Sequence, residues 1–194
     1  MINKFVIGDQ HLGHTNIRIY EPMRQAWGPD VNAMTEVMIL AWQSVVGPED
    51  TVYHMGDVMM GQRENWPKYR ARLTGKIILI QGNHDKKPEQ WLLPCDTVQD
   101  RLELIDEELG VIIMRHDPNS FTKEEYNRVC NGKGFFLHGH LHSNGHRGDT
   151  PEYIQDSCVC LSIERLPTAP APMPWSMIKE VHIAQQNARK SAKK

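Results

Sequence analysis

Lys4-Phe5-Val6-Ile7-Gly8-Asp9-Gln10-His11 reads as a short buried strand that stops at a glycine and delivers an aspartate and a histidine. The same design recurs downstream. Thr51-Val52-Tyr53-His54-Met55 runs into Gly56-Asp57, and Lys76-Ile77-Ile78-Leu79-Ile80 runs into Gly82-Asn83-His84-Asp85. An apolar run at 111–115 precedes His116, and another at 134–137 enters Gly139-His140-Leu141-His142. Helical patterns separate the early strands. Residues 33–46 set Val31, Met34, Val37, Met38 and Ala41 on one face, with Asp30 or Asn32 as cap and Gly47-Pro48 as stop.

Residues 62–73 predict a second helix interrupted by Pro67, and 88–92 a short third one. Residues 97–105 and 111–115 are expected to pair through the acidic turn 106–110, and 158–163 to form a last strand. Pro-rich 167–174 then leads to a C-terminal helix from 175 to about 186. Strands alternating with helices, then mostly strands, predict α/β layers with a mixed sheet. The polar motifs fall at strand ends, where open α/β sheets place ligand sites.

The 194 residues favour one domain, with a motif-bearing core at about 4–165 and a Pro-rich segment and helix at 166–194. A net charge of −2 supplies no basic field for non-specific nucleic-acid binding. No apolar run approaches membrane-spanning length, so no membrane partner is expected. The N-terminus enters the first motif without a separate apolar core and cleavage site, which predicts a cytoplasmic protein. Cys95, Cys130, Cys158 and Cys160 show no CxxC pair. Cys158 and Cys160 would share a strand face, so a metal site built on them is one reading, but in a reducing compartment the four cysteines are expected to be buried thiols.

The ten histidines are unevenly spread, and most fall in or beside the strand-end motifs. Carboxylate, amide oxygen and imidazole together suit borderline cations such as Mn²⁺, Fe, Zn²⁺ or Co²⁺. In Asp-x-His and His-x-His, residues i and i+2 project to one side if the backbone stays extended. A glycine at four of the five strand ends allows a sharp turn and close approach by a metal-bound phosphate. Each motif alone is weak, but five in order, each after an apolar strand, are hard to assign to packing.

These five motifs resemble those of the calcineurin-like metallophosphoesterase superfamily. Gly8-Asp9-Gln10-His11-Leu12-Gly13-His14-Thr15-Asn16-Ile17 is similar to its small bacterial and phage members, as are Tyr53-His54-Met55-Gly56-Asp57 and Leu73-Thr74-Gly75-Lys76. The resemblance implies a four-layer α/β/β/α sandwich with two mixed sheets, and a dinuclear metal centre that activates water to hydrolyse a phosphoester. Asp9, His11 and His142 would hold one cation, Asn83, His116 and His140 the other, and Asp57 would bridge them. Mn²⁺ is the expected metal, with Fe, Zn²⁺, Ni²⁺ or Co²⁺ as alternatives. His84 would serve the leaving group as general acid, oriented through its other ring nitrogen by Asp85.

Further residues have two readings each. His14 could touch a substrate phosphate or be a plain turn histidine, and Arg18 and Arg24 could donate to phosphate or lie on the surface. His54 and His138 read as packing or support, the tryptophans as core or surface anchors, and His146 and His182 carry no argument. The basic end, Arg189-Lys190 to Lys193-Lys194, reads as a solvated tail rather than a nucleic-acid contact.

Val58-Met59-Met60-Gly61 follows Asp57 where the superfamily's protein phosphatases carry a further Asp and Arg, which argues against a phosphoprotein substrate. A nucleotide or other small phosphoester is expected as substrate. A nuclease acting on nucleic-acid ends and a non-catalytic scaffold of the same fold are the alternatives. Small members of such families often pair, so a homodimer is the expected assembly.

Overall fold

The computed structural model describes residues 2–132, 134–143 and 150–192; His146 and the Lys193-Lys194 end of the basic tail lie outside them. In chain order the elements are β1 (Lys4–Ile7), α1 (Ile17–Tyr20), α2 (Val31–Val45), β2 (Thr51–His54), α3 (Trp66–Arg70), β3 (Lys76–Ile80) and β4 (Thr97–Gln99). Then come β5 (Leu102–Asp106), β6 (Gly110–Met114), α4 (Lys123–Gly132), β7 (Phe135–His138), β8 (Cys158–Cys160), β9 (Met173–Pro174) and α5 (Ile178–Ala192).

The protein is a mixed α/β structure built on two mixed sheets. The first runs β4-β3-β2-β1-β9, parallel except for the antiparallel edge β9. The second runs β5-β6-β7-β8, with an antiparallel β5–β6 hairpin and parallel pairs beyond it. A parallel bridge between Gly8 and Ser162 links the ends of β1 and β8.

The strands are apolar because most are covered on both faces. In the second sheet Ile112, Met114, Leu137 and Val159 join the main core, which also takes Met34, Met38, Ile39 and Trp42 from α2. The alternate residues Ile113, Phe136 and Cys158 form a smaller core with Phe121 and Val129, beneath α4. Asp30 caps α2, its carboxylate accepting from Ala33 N at 2.9 Å. Trp42 is fully buried, and its indole donates to Thr74 O at 2.9 Å, which ties α2 to the start of β3.

Four sequence expectations need correction. Residues 97–105 do not form one strand. Thr97–Gln99 pairs with β3 in the first sheet, whereas Leu102–Asp106 pairs with β6 in the second, so this segment is the crossing between sheets. Residues 158–163 form a strand only to Cys160, after which Ser162 bridges to Gly8 and Ile163 begins a 3₁₀ turn. Pro67 does not interrupt a helix: it lies in the first turn of α3, where its missing N–H costs nothing. Cys158 and Cys160 are buried free thiols, but Cys95 and Cys130 are exposed. Helix α4 was not anticipated at all, since few apolar residues mark its buried face.

Arg70 and Asp96 form a buried bidentate pair, with Nε–Oδ2 and Nη2–Oδ1 distances of 2.7 and 2.6 Å. Asp96 also accepts from Ile77 N and Leu93 N, each at 2.8 Å, so the pair fixes α3 against β3 and the turn before β4. Asp96→Ala should therefore lower stability by about 3–5 kcal/mol by stranding a buried guanidinium. A urea melt showing less than about 1 kcal/mol lost would contradict that role.

Candidate metal site

Every motif lies at the carboxyl end of a strand that belongs to a parallel pair. β1 delivers Asp9 and His11, β2 Asp57, and β3 Asn83, His84 and Asp85; β6 delivers His116, and β7 His140 and His142. The loops after β1 and β2 continue in step. Asp9 N donates to Gly56 O at 2.9 Å, His11 N to Asp57 O at 3.0 Å, and Leu12 N to Val58 O at 3.0 Å.

The side chains converge on two groups. In one, His11 Nε2 and His142 Nε2 stand 3.2 Å apart beside Asp9. In the other, His116 Nε2 stands 3.0 Å from Asn83 Oδ1 and 3.2 Å from His140 Nδ1. Asp57 Oδ2 lies between the groups, 3.7 Å from His11 Nε2 and 3.5 Å from His116 Nε2. Donors about 2.1 Å from a common ion sit roughly 3–3.5 Å from one another, so these spacings fit ligand atoms around a cation.

The hydrogen bonds on the outer sides of the rings support that fit. His116 Nδ1 faces Met55 O at 2.6 Å and therefore carries the proton, leaving the Nε2 lone pair toward the cluster. His142 Nδ1 faces the Glu164 carboxylate at 3.2 and 3.3 Å, with the same consequence. The electrostatics mark the cluster as a place that draws positive charge. Burial pushes the Asp9 carboxyl up, with Asp57 adding to it, while His142 and His116 oppose. Burial pulls His116 down, yet Asp9 and Asp57 together hold it above its usual value. Burial drives His11 well below the usual histidine range.

The backbone carries the clearest mark of purpose. Among the described residues, the non-glycines at positive φ are Asp9, His11, Asp57, His140, His142 and Lys87. The first five are all candidate ligands. This left-handed conformation costs an ordinary residue on the order of 1–2 kcal/mol, and such strain gathers at functional sites. It also corrects the extended geometry expected of Asp-x-His and His-x-His. Left-handed kinks at both ends, not a straight strand, aim each pair.

Gly56 and Gly82 leave room for the ligands themselves rather than for a phosphate. A Cβ on Gly82 would fall on the Asp57 carboxylate and 2.6 Å from Asp57 N, and one on Gly56 would lie 2.6 Å from His116 Nδ1.

His84 lines the cavity mouth with its side chain 42% exposed, its Nε2 4.0 Å from Asp57 Oδ2 and its backbone N bonded to Asp57 Oδ1 at 2.8 Å. Asp85 does not orient it. Asp85 is fully buried and accepts from Asp57 N at 2.7 Å, Val58 N at 3.0 Å and Gly82 N at 2.8 Å. It braces the Asp57 turn, and burial and the nearby Asp57 charge push its carboxyl up to about 6.

Arg24 is likewise no substrate donor. It is fully buried and donates to Gln10 O at 2.6 Å, Asp9 O at 2.5 Å and Glu164 Oε1 at 2.6 Å. Arg18 is spent on Gly28 O at 2.6 Å and does not line the cavity, whereas His14 does. His54 is buried, with Nε2 3.2 Å from Gln10 Oε1; burial takes its pKa, and that of His138, to about 3.

Glu164 is the residue that sequence reasoning missed. It is gripped by Arg24 and supports His142, and the available sign was an acidic residue directly after the expected strand at 158–163. Glu21, 2% exposed, also lines the cavity and accepts from Ser143. Among the described residues, no helix is long and apolar enough to cross a membrane.

No family model matches the chain. An uncharacterized protein of Methanocaldococcus jannaschii is 29% identical over 147 residues, covering 72% of this chain and 69% of its own length. The Gene 66 protein of Mycobacterium phage L5 is 35% identical over 91 residues, 44% of this chain and 41% of that protein. A crystal structure of a protein of unknown function from Aquifex aeolicus matches 93% of this chain and all of its own at a TM-score of 0.65. At 20% identity, that likeness shows the fold alone.

If these groups bind a cation, Mn²⁺ or Zn²⁺ added to chelator-stripped protein should raise stability by about 2.7 kcal/mol at a hundredfold excess over Kd. Asp57→Asn should remove most of that increment, and Glu164→Gln should weaken metal affinity by about tenfold or more. Thermal melts with and without chelator, and competition with a metal indicator dye, measure both. A melting temperature indifferent to metal would rule out the site.

Proposed function

We propose that this chain is a metal-dependent phosphoester hydrolase of the calcineurin-like metallophosphoesterase superfamily, with the four-layer α/β/β/α sandwich of that family. The observation that carries the proposal is the pair of donor groups on either side of Asp57, with five of the seven residues, Asp57 included, in strained backbone conformations. A scaffold of the same fold has no use for that strain. The two mixed sheets, with α4 over the outer face of the second, support the family assignment.

Asp9, His11 and His142 would hold one divalent cation, Asn83, His116 and His140 a second, and Asp57 both; Mn²⁺ is the first choice, with Fe, Zn²⁺, Ni²⁺ or Co²⁺ as alternatives. Such a pair, when bound, supplies Lewis acidity toward phosphate oxygens and lowers the pKa of water.

The chain's own residues do the rest. Asp85 holds the Asp57 turn through three N–H groups, and Arg24 and Glu164 hold the Asp9 and His142 segments together. His84, exposed at the mouth beside this cluster, is placed to give its ring proton to the leaving alkoxide. In the net reaction a P–O bond forms to the oxygen of water as the ester P–O bond breaks, and the leaving oxygen departs protonated.

The test is hydrolysis of bis(p-nitrophenyl) phosphate and p-nitrophenyl phosphate with Mn²⁺. Chelator and Asp57→Asn should abolish turnover. His84→Ala should lower kcat by 10²–10⁴-fold, about the worth of a general acid, on a dinucleotide, whose leaving group is an alkoxide, and far less on the aryl esters, whose nitrophenolate departs without a proton. Equal losses on both leaving groups would overturn the role given to His84, and hydrolysis indifferent to chelator would overturn the whole proposal.

A further inference from the structure

The cavity beside the candidate ligands, about 530 Å³, changes character away from them. His14, Ile17, Tyr20, Met60 and Leu141 form much of its remaining wall. The rings of His11, His14 and Tyr20 follow one another outward, with successive centroids 5.6 and 6.5 Å apart. Tyr20 is 60% exposed, next to Ile19 at 70% and close in sequence to Met23 at 43%. An aromatic side chain at the mouth of a polar site is a large apolar surface left open to water, and a planar ligand would cover it.

Tyr20 is also held in place. It closes α1, whose Arg18 donates to Gly28 O at 2.6 Å and whose Arg18 O accepts from Gln25 Nε2 at 3.1 Å. Immediately after it, buried Glu21 accepts from Ser143 N at 3.3 Å and from the Ser143 hydroxyl, which ties the end of α1 to the segment carrying His142. The ring is therefore presented by a backbone fixed to the ligand-bearing loop, and a ligand stacking there pays little ordering entropy.

We infer that Tyr20, with His14 and Ile17 beside it, is a stacking platform for a nucleobase, so that the phosphoester hydrolysed at this site carries a nucleoside. This rests on the phosphoesterase proposal and specifies its substrate class. His14 stands between Tyr20 and the ligand His11 on the wall of one cavity, so a phosphate at the metal cluster, a sugar and a base on the tyrosine would follow one another along it. Every base has a π-face, so the platform is expected to accept all four with little discrimination.

Thymidine 5′-(p-nitrophenyl) phosphate and methyl p-nitrophenyl phosphate release the same aryloxide and differ only in the retained arm. With Mn²⁺, the ratio of their kcat/KM values should favour the nucleoside ester by about tenfold; Tyr20→Ala should erase the preference and Tyr20→Trp should keep it. A second readout needs no turnover: in Tyr20→Trp, thymidine monophosphate should quench the new indole fluorescence in a saturable way. A dinucleotide and a short single strand, which share an alkoxide leaving group, separate a small nucleotide ester from a nucleic-acid end, and Tyr20→Ala should slow whichever of them is cleaved.

Equal kcat/KM for the two aryl esters in the unmodified protein, or a preference that survives Tyr20→Ala, would overturn the platform while leaving the hydrolase proposal intact. If neither ester is cleaved, the hydrolase proposal falls, and the quenching titration still decides whether Tyr20 receives a base.

Discussion

Asp9 and Asp57 are buried at the meeting point of two sheets, with four imidazoles and an amide closing around them. Left to themselves, two desolvated carboxylates would separate or take up protons. The carboxylates accept from main-chain N–H groups, Asp9 from His140 N at 2.9 and 3.0 Å and Asp57 from His84 N at 2.8 Å, and further contacts brace the backbone on either side of them. Asp85 collects three N–H groups around the Asp57 turn, and Arg24 collects the carbonyls of Asp9 and Gln10. Among the described residues no lysine or arginine bonds to the two central carboxylates, and the guanidinium beneath them, Arg24, is spent on main-chain carbonyls and on Glu164.

This division of labour explains why two charged residues that invite a substrate role have none. Arg24 lies under the site and joins three segments distant in sequence, with the 3₁₀ turn that carries it, the end of β1 and Glu164 meeting at one guanidinium. A planar fork with five donors suits that task better than an ammonium would. Asp85 likewise stabilises the turn opposite rather than the histidine before it. Stability given up to left-handed backbone at five positions is recovered through such struts, a trade expected where function requires strain.

The sequence made the strand ends legible because an apolar run followed by glycine and a polar ligand type is a local pattern. β1 and β3 have the expected boundaries, and the residues chosen as ligands from these motifs meet in space. Tertiary partners were not legible. Glu164 and Arg24 are 140 positions apart, and nothing local in either segment signals the other. Residues 97–105 read as one strand because both halves are apolar and β-prone, while the change of sheet within them depends on which neighbours are near. Helix α4 was silent because its hydrophobic face is narrow and satisfied by a small core of its own.

The split of donors between the sheets has a consequence for the order of events during folding. The first sheet contributes Asp9, His11, Asp57 and Asn83, and the second contributes His116, His140 and His142. Neither half is a complete coordination sphere for either group. If the groups bind a cation, a nascent chain emerging from its N-terminus would display two carboxylates, the His11 imidazole and an amide before the three imidazoles of the second sheet that complete each set. High-affinity capture of a cation would wait until β6 and β7 have docked and the Gly8–Ser162 bridge has closed. Metal uptake would then report on the joining of the two sheets, and an immature chain would be poorly equipped to trap the wrong ion.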